Sequence, residues 1–341
     1  MEEEIKKPSR VFFLGAGASF VDGVPLQSQL LKKCFELIDK DSFEYTQIKE
    51  FFEVFFNLKE PITGNDFPKM EQLLGMLEMP KLIDIDYPGY SEKRINEFKR
   101  IIFGVILKAL RKCSSDIKKS YNYRFVKKIK DNLDDFDEIN FITMNYDTVL
   151  DDSLSLLNTL EKIDFGLDLV NYYSRYNKKF PLEKPMPGNI HLLKLHGSIS
   201  YRYCRVCQSI ELVHTDGDDI FDQSFCSIDG TPTEILVVPP SFFKNLKVPP
   251  LMQLWIKARL MLMDADEIYF IGYSLPLADI PVWQMLKSAE LARPNKKVIV
   301  VDAKGKKSGE INKRYSQIFT NIEYLPIGFE SFIDSIEKYL M

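Results

Sequence analysis

The chain has 341 residues, of which 45% are hydrophobic and 28% are charged, and its formal net charge is -4. This composition supplies a sizeable core within an ordinary soluble surface, and the length fits one large domain or two smaller ones. The negative net charge argues against a protein built mainly to hold nucleic acid. No run approaches the roughly eighteen uninterrupted apolar residues of a membrane span. We therefore expect a cytoplasmic protein that binds neither membranes nor nucleic acid directly.

Strand-like apolar runs recur along the chain, and most are followed by a helical pattern. In chain order they are residues 11–14, 139–143, 191–195, 234–238, 267–271 and 297–301, with a weaker run at 321–325 before an amphipathic segment at 329–340. A first helix is expected to start near Pro25 and to run through Leu37. Strands that alternate with helices are typical of α/β proteins. The predicted fold is a Rossmann-like, doubly wound, mostly parallel sheet with helices on both faces.

Two segments break this alternation. Residues 39–130 are rich in aromatic residues, Lys and Glu, and they show helical periodicity without a convincing strand. Residues 201–233 are polar and contain cysteines. We predict a helical insertion at 39–130 and a small Cys-containing, zinc-ribbon-like insertion at 201–233. The Rossmann-like domain is then formed by residues 8–38 and 131–341.

A glycine-containing turn closes the first strand and reads Gly-Ala-Gly-Ala-Ser over residues 15–19. Glycines let the backbone approach a ligand closely, and the helix that follows offers unpaired N–H groups to a phosphate. The third glycine of the usual dinucleotide fingerprint is replaced by Phe20, and no acidic residue ends a second strand about twenty residues later. By itself this turn fits a phosphate site and a purely packing role equally well.

Polar or glycine-containing turns also follow several later strands. They contain Thr143, Asn145, Asp147, His196, Gly272, Ser274 and Asp302. Doubly wound sheets bind ligands at the carboxyl ends of their strands, so four such turns predict a crevice there. Structural interpretations remain open beside this one: Asn145 can cap the helix that follows it, and His196 can be a satisfied core histidine.

These motifs, in this order, resemble the sirtuin family, and more closely its divergent bacterial sirtuin-like branch. Residues 15–19 resemble the family's opening Gly-Ala-Gly-x-Ser loop, and residues 143–147 resemble its Thr-Gln-Asn-x-Asp motif. Residues 195–198 match the catalytic histidine motif, residues 272–275 stand where the family has Gly-Thr-Ser-Leu, and Asp302 stands where a polar residue of the family meets the adenosine ribose. The match covers most of the chain outside the helical insertion, and five short motifs in the correct order are specific as a set.

The resemblance implies a Rossmann-like NAD pocket. Asn145 would orient the nicotinamide ribose and a water molecule, Asp147 would bind the nicotinamide carboxamide, and His196 would act as general base at the ribose hydroxyls. Breaking the N-glycosidic bond builds oxocarbenium character that neighbouring dipoles must accommodate, and a neutral imidazole is a suitable proton acceptor. The remaining pocket residues would be Gly15, Ala16, Gly17, Ser19, Thr143, Gly272, Ser274 and Asp302.

A cysteine pattern lies in the small insertion. Cys204 and Cys207 are followed, after eighteen residues, by Cys226 and Asp229. Two such pairs at this separation are typical of a zinc ribbon with four tetrahedral ligands, and sirtuins carry a four-cysteine ribbon at this position. Here Asp229 or His214 would replace the missing fourth cysteine. The alternative is that the metal has been lost and the segment is a polar loop.

Departures from the deacylase pattern bear on the reaction. Sirtuin deacylases have Pro-Asp-Phe-Arg after the first loop and a Phe-Gly-Glu segment that clamps the acyl-lysine peptide. Here Pro25 is followed by Leu-Gln-Ser, and residues 238–244 contain no Gly-Glu pair. The better preserved NAD pocket favours hydrolysis of NAD to nicotinamide and ADP-ribose over NAD-dependent protein deacylation. Cyclisation of NAD or ADP-ribosyl transfer would use the same residues as hydrolysis. A sensor that binds NAD or ADP-ribose without turnover is the alternative from another class.

The resemblance also implies a biological setting. Proteins of the bacterial branch often deplete NAD in antiphage defence, usually as oligomers and often with a partner protein. We accordingly expect a homo-oligomer, with a defence partner such as an ATPase/helicase or an Argonaute-type protein.

Overall fold

The structure, a computed structural model, describes residues 8–59, 67–112, 116–132, 138–157, 163–170, 190–213, 224–238, 248–303 and 308–340. Its strands are β1 (Arg10–Leu14), β2 (Ile139–Thr143), β3 (Ile163–Asp164), β4 (Ile190–Lys194), β5 (Gly197–Tyr203), β6 (Ile210–Leu212), β7 (Glu234–Val237), β8 (Glu267–Ile271), β9 (Lys297–Val301) and β10 (Ile322–Leu325). Its α-helices are α1 (Ala16–Phe20), α2 (Gln27–Leu37), α3 (Phe43–Phe56), α4 (Met70–Ile83), α5 (Glu92–Lys112), α6 (Tyr121–Asn132), α7 (Val149–Leu157), α8 (Pro249–Asp264), α9 (Ile280–Ala292), α10 (Ser308–Ser316), α11 (Phe329–Ser335) and α12 (Glu337–Leu340).

Seven of these strands form one parallel sheet in the order β10-β9-β8-β1-β2-β4-β3. The central strand β1 pairs with β2 on one side and with β8 on the other. The chain proceeds from β1 to β2 and later returns to the opposite side of β1, so the strand order reverses between β1 and β8. Doubly wound sheets open their ligand crevice at such a point. The predicted α/β fold with a mostly parallel sheet is confirmed.

A smaller antiparallel sheet has the order β6-β5-β7. The predicted strand at 234–238 forms, but it pairs with β5 and does not join the parallel sheet, so the prediction is wrong on this point. The prediction also did not recognise β5 as a strand. Polar Ser198, Ser200 and Arg202 alternate there with apolar residues, which is the period-2 signal of a strand. Because β5 follows β4 after only two residues, it leaves the main sheet at once and offers β7 an antiparallel edge.

Buried side chains gather into two hydrophobic clusters. The larger one, the sheet core, is formed by the parallel strands and the helices that cover them. The second, the helical core, is formed mainly by α2, α3, α4 and α5. Helix α6 lies in the sequence range of the predicted insertion, but its Phe125, Val126 and Ile129 belong to the sheet core. The division of the chain at residues 39 and 130 stays a prediction. Among the described helices, none combines the length and the continuous apolar character that a membrane crossing requires.

Candidate active site

The turn after β1 interlocks with the turn after β8. The N–H groups of Gly15 and Gly17 donate to the carbonyls of Ile271 and Gly272, both at 2.9 Å. A Cβ atom on Gly15 would lie 2.6 Å from the Cα of Tyr273, and one on Gly17 would lie 2.7 Å from the Cα of Gly272. The two glycines therefore have the packing role that the sequence left open, and this packing brings the carboxyl ends of β1 and β8 into contact.

The same turn is anchored from its other side by Asp22. The Asp22 carboxylate accepts hydrogen bonds from the N–H groups of Tyr121 and Asn122, at 2.6 and 3.1 Å, at the start of α6. The Asn122 side-chain amide donates both to Asp22, at 2.7 Å, and to the carbonyl of Ala18, at 2.8 Å. Helix α6 thus fixes the position of the short helix α1, which borders the crevice.

The Asn145 side chain reaches from the end of β2 to this turn. Its Nδ2 donates to the carbonyl of Gly15 at 2.8 Å and to the Ser19 hydroxyl at 3.0 Å. Its backbone N–H donates to Thr143 Oγ1 at 3.0 Å, and Thr143 Oγ1 donates in turn to the Leu14 carbonyl at 3.1 Å. Because the two N–H donors of the amide are used, the group that Asn145 can offer to a ligand is the acceptor Oδ1.

Asp147, and not Asn145, accepts a hydrogen bond from the start of the helix that follows. Helix α7 begins at Val149, and Asp147 Oδ1 accepts hydrogen bonds from the Val149 N–H at 3.1 Å and from the Ser19 hydroxyl at 3.2 Å. Burial raises the pKa of the Asp147 carboxyl, and the nearby ammonium of Lys194 acts in the opposite direction. Both of these hydrogen bonds go to Oδ1, so Oδ2 is the oxygen left for a ligand.

His196 lies where the chain leaves the parallel sheet, between β4 and β5. The residue is 6% exposed, and its carbonyl accepts a hydrogen bond from the Val238 N–H at 2.8 Å. The neighbouring Leu195 carbonyl accepts a hydrogen bond from the Trp255 indole at 3.1 Å, and the rings of His196 and Trp255 have centroids 6.5 Å apart. The backbone that carries the imidazole is therefore held by the residue that follows β7 and by α8.

These elements border a cleft of about 830 Å³, a volume within the usual range of small-molecule and cofactor sites. Eight of the predicted site residues line it: Ala16, Gly17, Asn145, Asp147, His196, Gly272, Ser274 and Asp302. Three others, Gly15, Ser19 and Thr143, are not among the lining residues and support them through the contacts described above. The structure thus brings the residues of separate motifs to one place.

The helical core forms a wall of this cleft, and no sequence motif identified the residues that form it. The wall residues include Phe67, Met70 and Leu110 of this core, with the polar Lys69 and Glu71 on either side of Met70. Helical periodicity in this part of the sequence predicts helices without indicating what they cover. Tyr146 connects the two parts, because it lies between the site residues of the 143–147 turn and packs against the helical core.

The far end of the cleft is formed by the turns after β8 and β9. Asp302 Oδ2 accepts a hydrogen bond from the Tyr324 hydroxyl at 3.3 Å, and burial raises the pKa of the Asp302 carboxyl. The Ser274 carbonyl accepts from the Arg314 guanidinium at 3.0 Å, and the Tyr273 hydroxyl donates to Asp279 at 2.6 Å. These contacts leave the Ser274 side chain exposed at the cleft.

The predicted zinc ligands converge in the small antiparallel sheet. Cys204, Cys207, Cys226 and Asp229 place one ligand atom each within 4.8 Å of the others. The sulfur atoms of Cys207 and Cys226 are 3.5 Å apart, close to the roughly 3.8 Å expected for two thiolates on one tetrahedral zinc. His214, the other candidate for the fourth ligand, lies outside the described residues.

The electrostatics of this cluster fit a divalent cation. Desolvation, together with the neighbouring sulfurs of Cys204 and Cys226, raises the pKa of the Cys207 thiol to about 11. The Asp229 carboxylate is oriented by hydrogen bonds from the Thr231 hydroxyl and N–H, at 2.6 and 3.0 Å, which is the kind of support that metal ligands usually have. A cation would displace the thiol proton and bind the thiolate, and a closed set of four ligands is typical of structural zinc.

Comparisons with known proteins give structural neighbours only. No family model matches the chain, and no curated protein matches it. Among solved structures, a mutant Sir2 homologue in complex with 2′-O-acetyl ADP-ribose has a TM-score of 0.46 at 13% identity, covering 97% of this chain and 91% of that one. A Sir2 homologue–NAD complex has a TM-score of 0.46 at 12% identity, covering 97% and 88%. A complex of Sir2 with a p53 peptide and NAD+ has a TM-score of 0.44 at 14% identity, covering 97% and 92%.

Metal analysis tests the cysteine cluster. The purified protein is expected to hold about one zinc ion per chain, and Cys226→Ser is expected to lose it, because three ligands do not close a structural site. Cys34→Ser is the matched control, since Cys34 is also buried but belongs to the helical core. Elemental analysis by mass spectrometry measures the zinc content. Equal zinc in the wild type and in Cys226→Ser would contradict the assignment.

Proposed function

We propose that the protein hydrolyses NAD to nicotinamide and ADP-ribose. The observation that supports this is the joint placement of Asn145 and His196 in one cleft with Ser274 and Asp302, at the reversal of strand order. A dinucleotide needs an elongated site. One end must hold the nicotinamide ribose, where the reaction occurs, and the other end must hold the adenosine. The motifs whose order resembles sirtuins supply these residues.

The reaction breaks the bond between the ribose C1′ and the nicotinamide nitrogen, and the bonding electron pair leaves with nicotinamide. A water oxygen then bonds to C1′, and its proton is transferred to a base. In this proposal Asn145 Oδ1 accepts a hydrogen bond from a ribose hydroxyl or from that water, and His196 takes the proton. Asp147 Oδ2 accepts from the carboxamide N–H of nicotinamide, and the oriented dipoles around C1′ stabilise the developing positive charge.

We also propose a setting for this activity. The protein would act in the cytoplasm in antiphage defence, as a homo-oligomer, with a defence partner of the ATPase/helicase or Argonaute type. The support is the resemblance to the bacterial sirtuin-like branch. Light scattering during size-exclusion chromatography measures the oligomeric state, and a monomer at all concentrations would contradict that part of the proposal.

Product analysis separates hydrolysis from the alternatives. The purified protein is incubated with NAD, and nicotinamide and ADP-ribose are followed by chromatography with and without an acyl-lysine peptide. Hydrolysis predicts equal amounts of both products without peptide. Nicotinamide release only when peptide is present would identify a deacylase instead. Tight binding of NAD that stays intact after long incubation would identify a sensor and overturn the proposal.

A further inference from the structure

A buried ion pair lies directly behind the cleft. Lys194, the last residue of β4, is 1% exposed, and its Nζ donates to Asp151 Oδ2 at 2.6 Å. Asp151 is 6% exposed and lies in the first turn of α7. Its other oxygen, Oδ1, is buried without a hydrogen-bond partner among the described residues. The charge of this carboxylate is therefore balanced by Lys194.

The second hydrogen bond of Lys194 connects the pair to the site. Nζ also donates to the main-chain carbonyl of Asp147 at 2.5 Å. Asp147 lines the cleft, and its carboxylate is joined through the Ser19 hydroxyl to the Asn145 amide. A charged donor makes a stronger and shorter hydrogen bond to a carbonyl than a neutral one does. The ammonium therefore fixes the backbone that carries the Asp147 side chain.

Stability alone does not account for this arrangement. A buried ion pair loses much of its attraction to the desolvation of both charges, and an apolar pair of similar volume is often as stable or more stable. The pair does, however, join two of the site's turns, because Lys194 precedes His196 by two residues on one chain segment. The Leu195 N–H between them donates to the Thr143 carbonyl at 3.0 Å, which holds that segment against the end of β2.

We propose that Lys194 is a positioning residue for the reaction. Held by Asp151, it fixes the Asp147 carbonyl, and so it sets the orientation of the Asp147 carboxylate and the Asn145 amide relative to His196. The proposal of an effect on catalysis rests on the proposed function, whereas the effect on the conformation of the 143–149 segment does not.

A cycle of variants tests this role. Lys194→Met leaves the Asp151 carboxylate buried and unpaired, and it is expected to lower both stability and kcat. The double variant Lys194→Met/Asp151→Leu removes both charges, so its thermal midpoint is expected to recover most of the loss. Its kcat is expected to stay roughly 10–100-fold below the wild type, because nothing holds the Asp147 carbonyl. KM for NAD is expected to change less than kcat.

Hydrogen exchange gives a readout that does not need turnover. The amides of residues 145–149 are expected to exchange faster in the double variant than in the wild type, despite its recovered stability. Lys296→Met is the matched control: Lys296 is 3% exposed and donates to the carbonyls of Met263 and Ala265, away from the cleft. That variant is expected to lose stability while kcat and exchange at 145–149 stay unchanged.

Failure of the positioning role and failure of the proposed function give different results. If the double variant regains kcat together with stability, or if its exchange at 145–149 equals that of the wild type, Lys194 is only structural and the proposal is wrong. If the wild type does not turn over NAD but exchange rises in the double variant, the proposed function fails while the positioning of the segment by Lys194 stands.

Discussion

His196→Ala is expected to lower NAD turnover by roughly two to four orders of magnitude, which is the usual contribution of a general base. Asn145→Ala is expected to have an effect of similar size, because it removes the one acceptor that this side chain offers to the ribose or the water. Neither change opens a large cavity in the sheet core, so both variants are expected to fold. Release of nicotinamide from NAD, measured per folded molecule, gives the comparison.

His191→Ala is the control for this pair. His191 lies at the opposite end of β4, where it pairs with Asp164 at 3.2 Å, and it does not line the cleft. Its removal is expected to leave turnover close to the wild-type value. If His196→Ala retains most of the activity while circular dichroism shows a native fold, the imidazole is not the base and the proposed mechanism is wrong.

Gly272→Ala is expected to destabilise the protein by about 2–6 kcal/mol. The residue has φ +61°, a left-handed conformation that costs a non-glycine residue roughly 1–3 kcal/mol. Its Cβ would also lie 2.5 Å from the Ala18 nitrogen, and the overpacking adds about 1–3 kcal/mol. Because domains are stable by only about 5–15 kcal/mol, the variant is expected to be poorly soluble or easily unfolded. Urea denaturation measures the free energy of unfolding.

Two other glycines separate the cost of the left-handed backbone from the cost of the close packing. Gly89 has φ +83° but nothing within 4 Å of a Cβ, so Gly89→Ala is expected to show the backbone cost alone. Gly309 lies in α10 with open space around it, and Gly309→Ala is expected to be neutral or slightly stabilising. Equal losses for Gly272→Ala and Gly89→Ala would mean that the contact between the two turns carries no stability.

The parallel sheet could be predicted because its strands are buried on both faces. Strands β2, β8 and β9 have the predicted bounds, since burial on both faces favours a mostly apolar run that turn residues delimit. Strand β3 has only two residues, too few for any periodicity. Strand β7 carries the same signal as a parallel strand, and only its pairing with β5 assigns it to the other sheet.

The candidate site could be predicted in part for a related reason. The carboxyl ends of parallel strands meet at one edge, so polar turns at those ends had to converge, and eight of the predicted residues do line the cleft. The wall from the helical core depends on how α4 and α5 pack, which no short motif encodes. The Lys194–Asp151 pair joins positions 43 apart, and neither residue stands out in the sequence. What any of these residues binds stays a prediction.

The pairing of β1 with both β2 and β8 means that the centre of the parallel sheet is completed late in synthesis of the chain. Residues 10–14 are made before both of their partners, and one of these, residues 267–271, follows roughly 250 residues later. At about 5–20 residues per second, the first strand waits on the order of tens of seconds for that partner. Until then the turn after β1 lacks its contact with the turn after β8, and the cleft between them has not formed on the growing polypeptide. Under the proposed function, a chain that stops before β8 would lack this side of the cleft and would not hydrolyse NAD.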